Sequence, residues 1–350
     1  MKQETTFYEA LQKSKALDLR DNRGKRHDLC LVLTNLVVAL LRKRDGTLSS
    51  IYRSMKSMQK HLCRALGVEN KAVVSRSHLP ILLSKVNAEL FADLLLAHYG
   101  IELSEDQRQW FAGDGKELRG SIDKGNKRGE VSVQIVAHKD RAVVAQHFYN
   151  GTKESEKPCL SALVQQSGVC RQGFTADALH LHPEMTEAIA QAGGVFVIGL
   201  KDNQTELLRD MIDHAAAFGA VASHRTVDKG HGRLEVRTYS CFDIREEYVE
   251  SRWETSQFSS LIRVQRRRTV LKTNESSEEV SYYISNGKSD EALELFEAIR
   301  SHWSIEVNNH YRDVSLREDD FRTKKSRLQS SWLALERLFW SYSDFGSPKM

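Results

Sequence analysis

The sequence predicts an α/β layered fold with a mixed sheet, preceded by an all-helical module. Three features of its patterning carry that prediction. Through residues 7–100 the apolar side chains recur at helical spacing. From Trp110 the period drops to two, and a hairpin leads into alternating strands and helices. Over 219–288 that alternation stops, and the chain reads as strands and loops alone.

Leu29, Leu31, Val32, Leu33, Leu36, Val37, Leu40 and Leu41 form the broad face of a core helix, and Leu82, Leu83, Val86, Leu90 and Leu94 repeat the pattern. Basic residues lie between these stretches, among them Arg20, Arg23, Lys25, Arg26, Arg42, Arg53 and Lys56. A helical N-terminal domain at 1–104 follows, with the α/β domain at 105–350. There, Val131, Val133, Ile135 and Ala137 alternate as a strand, and 142–148 is its hairpin partner across Lys139-Asp140. A helix at 159–166, a strand at 173–177, a helix at 183–192, a strand at 195–200 and a helix at 205–218 come next. Residues 219–288 are read as a β-rich insertion with strands at 234–242, 261–271 and 280–284. Helical spacing resumes at Asp290 and runs past Glu306, and a last helix covers 328–340.

Charge is nearly balanced, 51 Lys and Arg against 47 Asp and Glu, which excludes a polybasic tail or an acidic disordered chain. The longest apolar run, 29–41, is broken by Thr34 and Asn35 and is too short to span a bilayer. The first residues lack the apolar core of a signal peptide. Five cysteines with no CxxC pair fit reduced thiols, so a cytoplasmic protein is expected.

Three carboxylates are candidates for chemistry. Asp114 follows the apolar approach Trp110-Phe111-Ala112, which puts it at the edge of the sheet between two glycines; an ordinary Asp-Gly turn is the competing reading. Gly115 and Gly120 have the spacing of a phosphate loop but lack the Lys that must follow its last Gly. Asp177 stands at the carboxyl end of a strand, where α/β sheets place ligands, or serves only as a helix N-cap. His180 and His182 suggest a zinc pair, but no third ligand stands at a fixed spacing. Glu306 shares a helix face with His302 at i, i+4; a solvated helix glutamate is the alternative. The motifs GxSxG and HExxH are absent. Three separated carboxylates instead suit hard divalent ions, about 3.5–4 Å apart in two-metal sites. Basic clusters at Arg263–Lys272, Lys229–Arg237 and after Glu306 fit a nucleic-acid partner bound through its phosphates.

At these residues the chain resembles the DDE transposases of the H-repeat-associated type of bacterial insertion sequence. The strings are DGKELRGS (114–121), TADALH (175–180), GLKDNQTELL (199–208), KGHGRLEVR (229–237) and IRSHWSIE (299–306), continued by His310, Asp313-Val314, Glu318-Asp319 and Arg322. The resemblance implies a ribonuclease-H-like core, with Asp114, Asp177 and Glu306 as catalytic residues and ligands of two Mg²⁺ ions that Mn²⁺ would replace. It makes 219–288 the insertion that precedes the catalytic glutamate, and makes the helical domain a DNA-end binder. Lys116, Arg119, Lys201, Asn203, Gln204, His231, Arg233 and Arg300 would contact DNA or order the site. The implied reaction is hydrolysis at a transposon end, followed by strand transfer from the freed 3′-hydroxyl. Its partner would be double-stranded DNA, bound by a homodimer on paired ends in the bacterial cytoplasm. Val307, Asp202, Tyr311 and Asp313 depart from the family pattern, leaving two alternatives: a transposase-derived DNA-binding protein, or a nuclease of the same fold.

Overall fold

Helical spacing in the first hundred residues resolves into five helices: α1 (Phe7–Lys13), α2 (Leu29–Arg42), α3 (Leu48–Leu66), α4 (Leu79–Leu83) and α5 (Ala88–Tyr99). The computed structural model describes residues 5–42, 48–99, 103, 107–117, 130–150, 153–245, 247 and 249–314. Thr6 and Glu9 close a capping box that starts α1. Leu33, Leu36 and Leu40 of α2 pack with Ile51 and Met55 of α3 and with Leu82 and Leu83 of α4. Asn35 lies inside this apolar layer because its amide donates to Met55 O at 3.1 Å and to Gln59 Oε1 at 2.6 Å. The helical reading of 7–100 is interrupted between α3 and α4, where the chain turns at Gly67 with φ +67°.

Nine strands among the described residues form one sheet in the order β3-β2-β1-β4-β5-β9-β8-β7-β6. They are β1 (Trp110–Glu117), β2 (Glu130–Ala137), β3 (Val143–Asn150), β4 (Gly173–Ala176), β5 (Val195–Leu200), β6 (Ala222–Gly230), β7 (Arg233–Asp243), β8 (Ser260–Val270) and β9 (Ser276–Ser285). β1, β4 and β5 run parallel, β2 runs against β1 and β3, and β9 to β6 continue antiparallel from β5. Among the described residues the remaining α-helices are α6 (Lys153–Gln166), α7 (Pro183–Gln191), α8 (Thr205–Ala217) and α9 (Ala292–Val314).

The two-residue period sorts side chains between two helical layers. Phe111, Phe196 and Ile198 pack with Leu160 of α6, Met185 of α7 and Met211 of α8. On the opposite face Val195 and Val197 pack with Leu295 and Phe296 of α9, and Ala112 with Ile305 of α9. This three-layer, mixed α/β arrangement is the predicted class. The apolar clusters of residues 7–99 and 103–305 have no member in common, while α5 abuts β3.

The segment 219–288 holds β6 to β9 and continues the sheet through the pairing of β9 with β5. The structure differs from the sequence expectation in three places. β6 escaped the sequence because it is a polar, largely exposed edge strand with no apolar alternation. β1 is interior to the sheet, between β2 and β4, so Asp114 is not at an edge. α6 begins six residues before 159 and carries Pro158 in its second turn. The expected helix at 328–340 lies outside the described residues. No described helix is long and apolar enough to cross a membrane, and all five cysteines are free thiols.

Candidate active site

Strand register builds the site. The last pair of the parallel ladder between β1 and β4 is Gly113 with Ala176, so the next residues, Asp114 and Asp177, stand side by side where β4 ends. Asp114 points to the same face as Ala112, which meets α9, and Asp177 follows Thr175 on that face. Burial, together with the charges of Asp177 and Glu156, pushes the Asp114 carboxyl up to about 6. Asp177 is exposed, and its Oδ1 accepts from Leu179 N at 3.1 Å, capping the 3-10 turn Ala178–His180. The capping role and the paired carboxylate therefore coexist in one residue.

α9 lies across this face and is tied to the sheet on both sides of Glu306. His302 Nδ1 stands 2.9 Å from Thr175 Oγ1, and Asn309 Nδ2 donates to Asp114 Oδ2 at 2.9 Å. Asn309 Oδ1 accepts from Gln134 Nε2 at 2.9 Å. Residues 302, 306 and 309 share one helical face, so Glu306 lies between two ties, one to Asp114 itself and one to Thr175, two residues before Asp177. Its side chain is exposed. Among the described residues no three His, Cys, Asp or Glu side chains are gathered closely enough to hold one ion. The structure thus joins Asp114 to Asp177 and brings the Glu306 turn alongside, with the Asn309 amide seated on Asp114.

Beneath the pair lies a fourth acid. Gly115 has no side chain, and Glu156 of α6 fills the space: a Cβ there would stand 2.7 and 2.8 Å from the two carboxylate oxygens. His180 Nε2 is 3.3 Å from Glu156 Oε1, and both residues are buried. His182 Nε2 meets Ser161 Oγ at 3.5 Å, so the two histidines face different partners rather than one ion. His138 and His302 are held down to about 3 and about 4, chiefly by burial, so both rings are neutral at pH 7.

The expected DNA-contacting residues separate into groups. Asn203 Nδ2 donates to Ala178 O at 2.7 Å and Gln204 Nε2 to Leu181 O at 2.8 Å, and Gln204 Oε1 accepts from Arg252 at 3.1 Å. Both side chains hold the turn that carries Asp177. Lys201 is exposed beside them, and its charge reaches His302. Lys116 is half-buried on β1. His231 and Arg233 are exposed at the turn between β6 and β7, where His231 and Gly232 have φ of +47° and +72°. Arg300 is exposed, with Nη2 3.8 Å from Asp228 Oδ2. Arg119 lies outside the described residues, as do Arg317, Arg322, Lys324, Lys325 and Arg327.

Three of the four arginines of β8 are matched by acids. Arg266 pairs with Glu279, Arg267 with Glu278 at 3.7 Å and Arg268 with Glu235 at 3.4 Å. That strand is consequently less basic than its sequence suggests. Sequence reasoning missed Thr175, His138, Gln134, Asn309 and Glu156. Asn309 had one available signal, its helical spacing of three from Glu306.

No protein-family model matches the chain. The chain is 27% identical over 235 residues to "H repeat-associated putative transposase YhhI" of Escherichia coli (strain K12), covering 63% of this chain and 60% of that protein. It is 27% identical over 230 residues to "Putative protein YbfL" of the same strain, with the same coverage. It is 26% identical over 220 residues to "Putative transposase YncI" of Escherichia coli O157:H7, covering 61% and 56%. The chain thus spans about 60% of the length of the curated relatives it matches. The likeness read from the five motif strings is borne out: over some 60% of its length this chain is similar to proteins of which one is named "H repeat-associated putative transposase" and another "Putative transposase".

Proposed function

We propose that the protein is a DNA transposase of an insertion sequence, hydrolysing a phosphodiester at an element's end and joining the freed 3′-hydroxyl to target DNA. The observation that carries this reading is the pairing of Asp114 with Asp177 on adjacent parallel strands, facing the helix that bears Glu306. The sheet order β3-β2-β1-β4-β5, with β2 alone antiparallel, supports a ribonuclease-H-like core. The names of the relatives support DNA transposition as the process.

The donor set fits a hard divalent cation, because burial and the Asp177 charge beside it raise the cost of ionising Asp114 until a cation joins the pair. Asp114, Asp177 and Glu306 would hold Mg²⁺ or Mn²⁺, which supplies Lewis-acid activation of the attacking and leaving oxygens of a phosphodiester. For that, Asn309 must release Asp114 Oδ2 and Glu306 must turn inward between its two ties. Asn203, Gln204 and Glu156 keep the Asp177 turn in place while this happens. Lys116, Lys201, His231, Arg233 and Arg300 offer contacts to DNA phosphates, with Arg119 extending that set. Double-stranded DNA is the substrate, held by the helical domain and brought together as two ends by a dimer.

The test uses a plasmid carrying the gene with its flanking DNA, incubated with pure protein and Mg²⁺ or Mn²⁺. Wild type is expected to nick it and to join ends, while Asp114→Asn binds the same DNA without nicking. Binding with no nicking in either ion would overturn the transposase reading in favour of a DNA-binding derivative. Nicking without joining would make it a nuclease.

A further inference from the structure

We infer that the Thr175 hydroxyl is a positioning group of this site, tying His302 of α9 to β4 and so setting Glu306 over Asp114 and Asp177. Its catalytic consequence rests on the transposase reading, whereas the tie itself does not.

Thr175 is 1% exposed and sits two residues before Asp177. Three polar atoms meet its Oγ1: His302 Nδ1 at 2.9 Å, His138 Nε2 at 2.8 Å and Phe111 O at 3.3 Å. A carbonyl oxygen only accepts, so the single hydroxyl hydrogen goes to Phe111, and both imidazoles must donate to Oγ1. This assigns the tautomers: His302 is protonated on Nδ1 and His138 on Nε2. His138 is itself anchored, since its N–H donates to Trp110 O at 2.9 Å and its ring stacks on Trp110 at 6.3 Å. Trp110 Nε1 in turn donates to Glu294 at the start of α9, at 2.7 Å.

α9 is therefore held at Glu294, His302 and Asn309, on one face. Packing of Leu295, Phe296 and Ile305 buries the helix but does not fix its register to a fraction of an ångström. Directional bonds under 3 Å do, and the hub lies one helical turn, about 6 Å of rise, from Glu306. A valine has the same shape as threonine without the hydroxyl, and a serine keeps the hydroxyl.

Thr175→Val and Thr175→Ser are compared with wild type by three readouts: ring ¹⁵N NMR, Mn²⁺ binding to the free protein, and plasmid nicking. Wild type and Thr175→Ser are expected to show the assigned tautomers, with Thr175→Ser nicking within about threefold of wild type. Thr175→Val should lose them, with Mn²⁺ affinity and maximal nicking rate down about tenfold or more, the usual effect of removing a ligand's support. Its DNA affinity should stay unchanged, because the hub touches no DNA-facing group. Thr175→Val that binds Mn²⁺ and nicks as wild type does would overturn the proposal. So would Thr175→Ser that is folded yet as impaired as valine. Should Thr175→Val fail to fold, His138→Phe keeps the stack on Trp110, removes one donor and should give a smaller loss of the same kind; no loss overturns the proposal. A wild type that neither binds Mn²⁺ nor nicks DNA would sink the transposase reading alone. The tie would then be judged by the tautomers and by faster amide exchange over 302–309 in Thr175→Val but not Thr175→Ser.

Discussion

Removing the charge of Asp114 should stabilise the metal-free protein, and the gain should depend on pH in a defined way. The folded state holds the Asp114 carboxyl at about 6, against an ordinary 3.8, because burial and the neighbouring Asp177 and Glu156 disfavour its ionised form. The folded protein thus binds this proton more tightly than the unfolded chain does. The associated stability is fully present below 3.8 and is lost as pH rises through about 6. At about 1.4 kcal/mol per pH unit, the gap amounts to about 3 kcal/mol above neutrality. Asp114→Asn carries no charge, and its Oδ1 can still accept from Asn309, so it escapes this loss. Melting followed by circular dichroism, in chelator and at pH 4 to 8, gives the comparison. The variant should melt with wild type near pH 4 and above it at pH 8, by about 2–4 °C for each kcal/mol. Equal melting at pH 8, or a difference that persists undiminished at pH 4, would refute the electrostatic account of the pair.

Two further perturbations separate packing from contact with DNA. Gly115→Ala drives a methyl into the Glu156 carboxylate and should destabilise by about 1–3 kcal/mol in urea unfolding. Adding Glu156→Ala should restore most of that, and a double variant no better than Gly115→Ala would mean the strain lies elsewhere. Asn203→Ala removes the bond to Ala178 O and should slow plasmid nicking while leaving DNA affinity and its salt dependence unchanged. Weakened binding with a shallower salt slope would instead make Asn203 a phosphate contact.

The parts of this fold that were legible in the sequence are those whose side chains enter a closed apolar layer. Residues 131–137 and 195–200 alternate or run apolar because each contributes side chains to a closed layer, and 29–41 repeats at helical spacing for the same reason. β6 offers no such signal, since both its faces meet water, and β9 reveals its own strand but not its partner. That pairing, Val197 with Ser285 for example, is a contact between distant segments that no local pattern encodes. The same division runs through the site. Asp114 and Asp177 stand out because each follows an apolar strand, whereas their adjacency comes from register alone. His138, Thr175 and His302 are unremarkable polar residues in three separate elements, and only the order β2-β1-β4 beneath α9 makes them neighbours. Asn203 and Gln204 show that polarity by itself does not say which partner a side chain takes. They resemble surface contacts for DNA, yet in the turn after β4 the Leu181 carbonyl takes its donor from Gln204, and the Ala178 carbonyl, which already accepts from Leu181 N at 3.2 Å, takes a second from Asn203. Where a polar side chain ends up is thus decided by which backbone groups nearby can still accept or donate. Here those acceptors follow directly on Asp177, so the polar residues nearest the carboxylate pair are engaged in holding it.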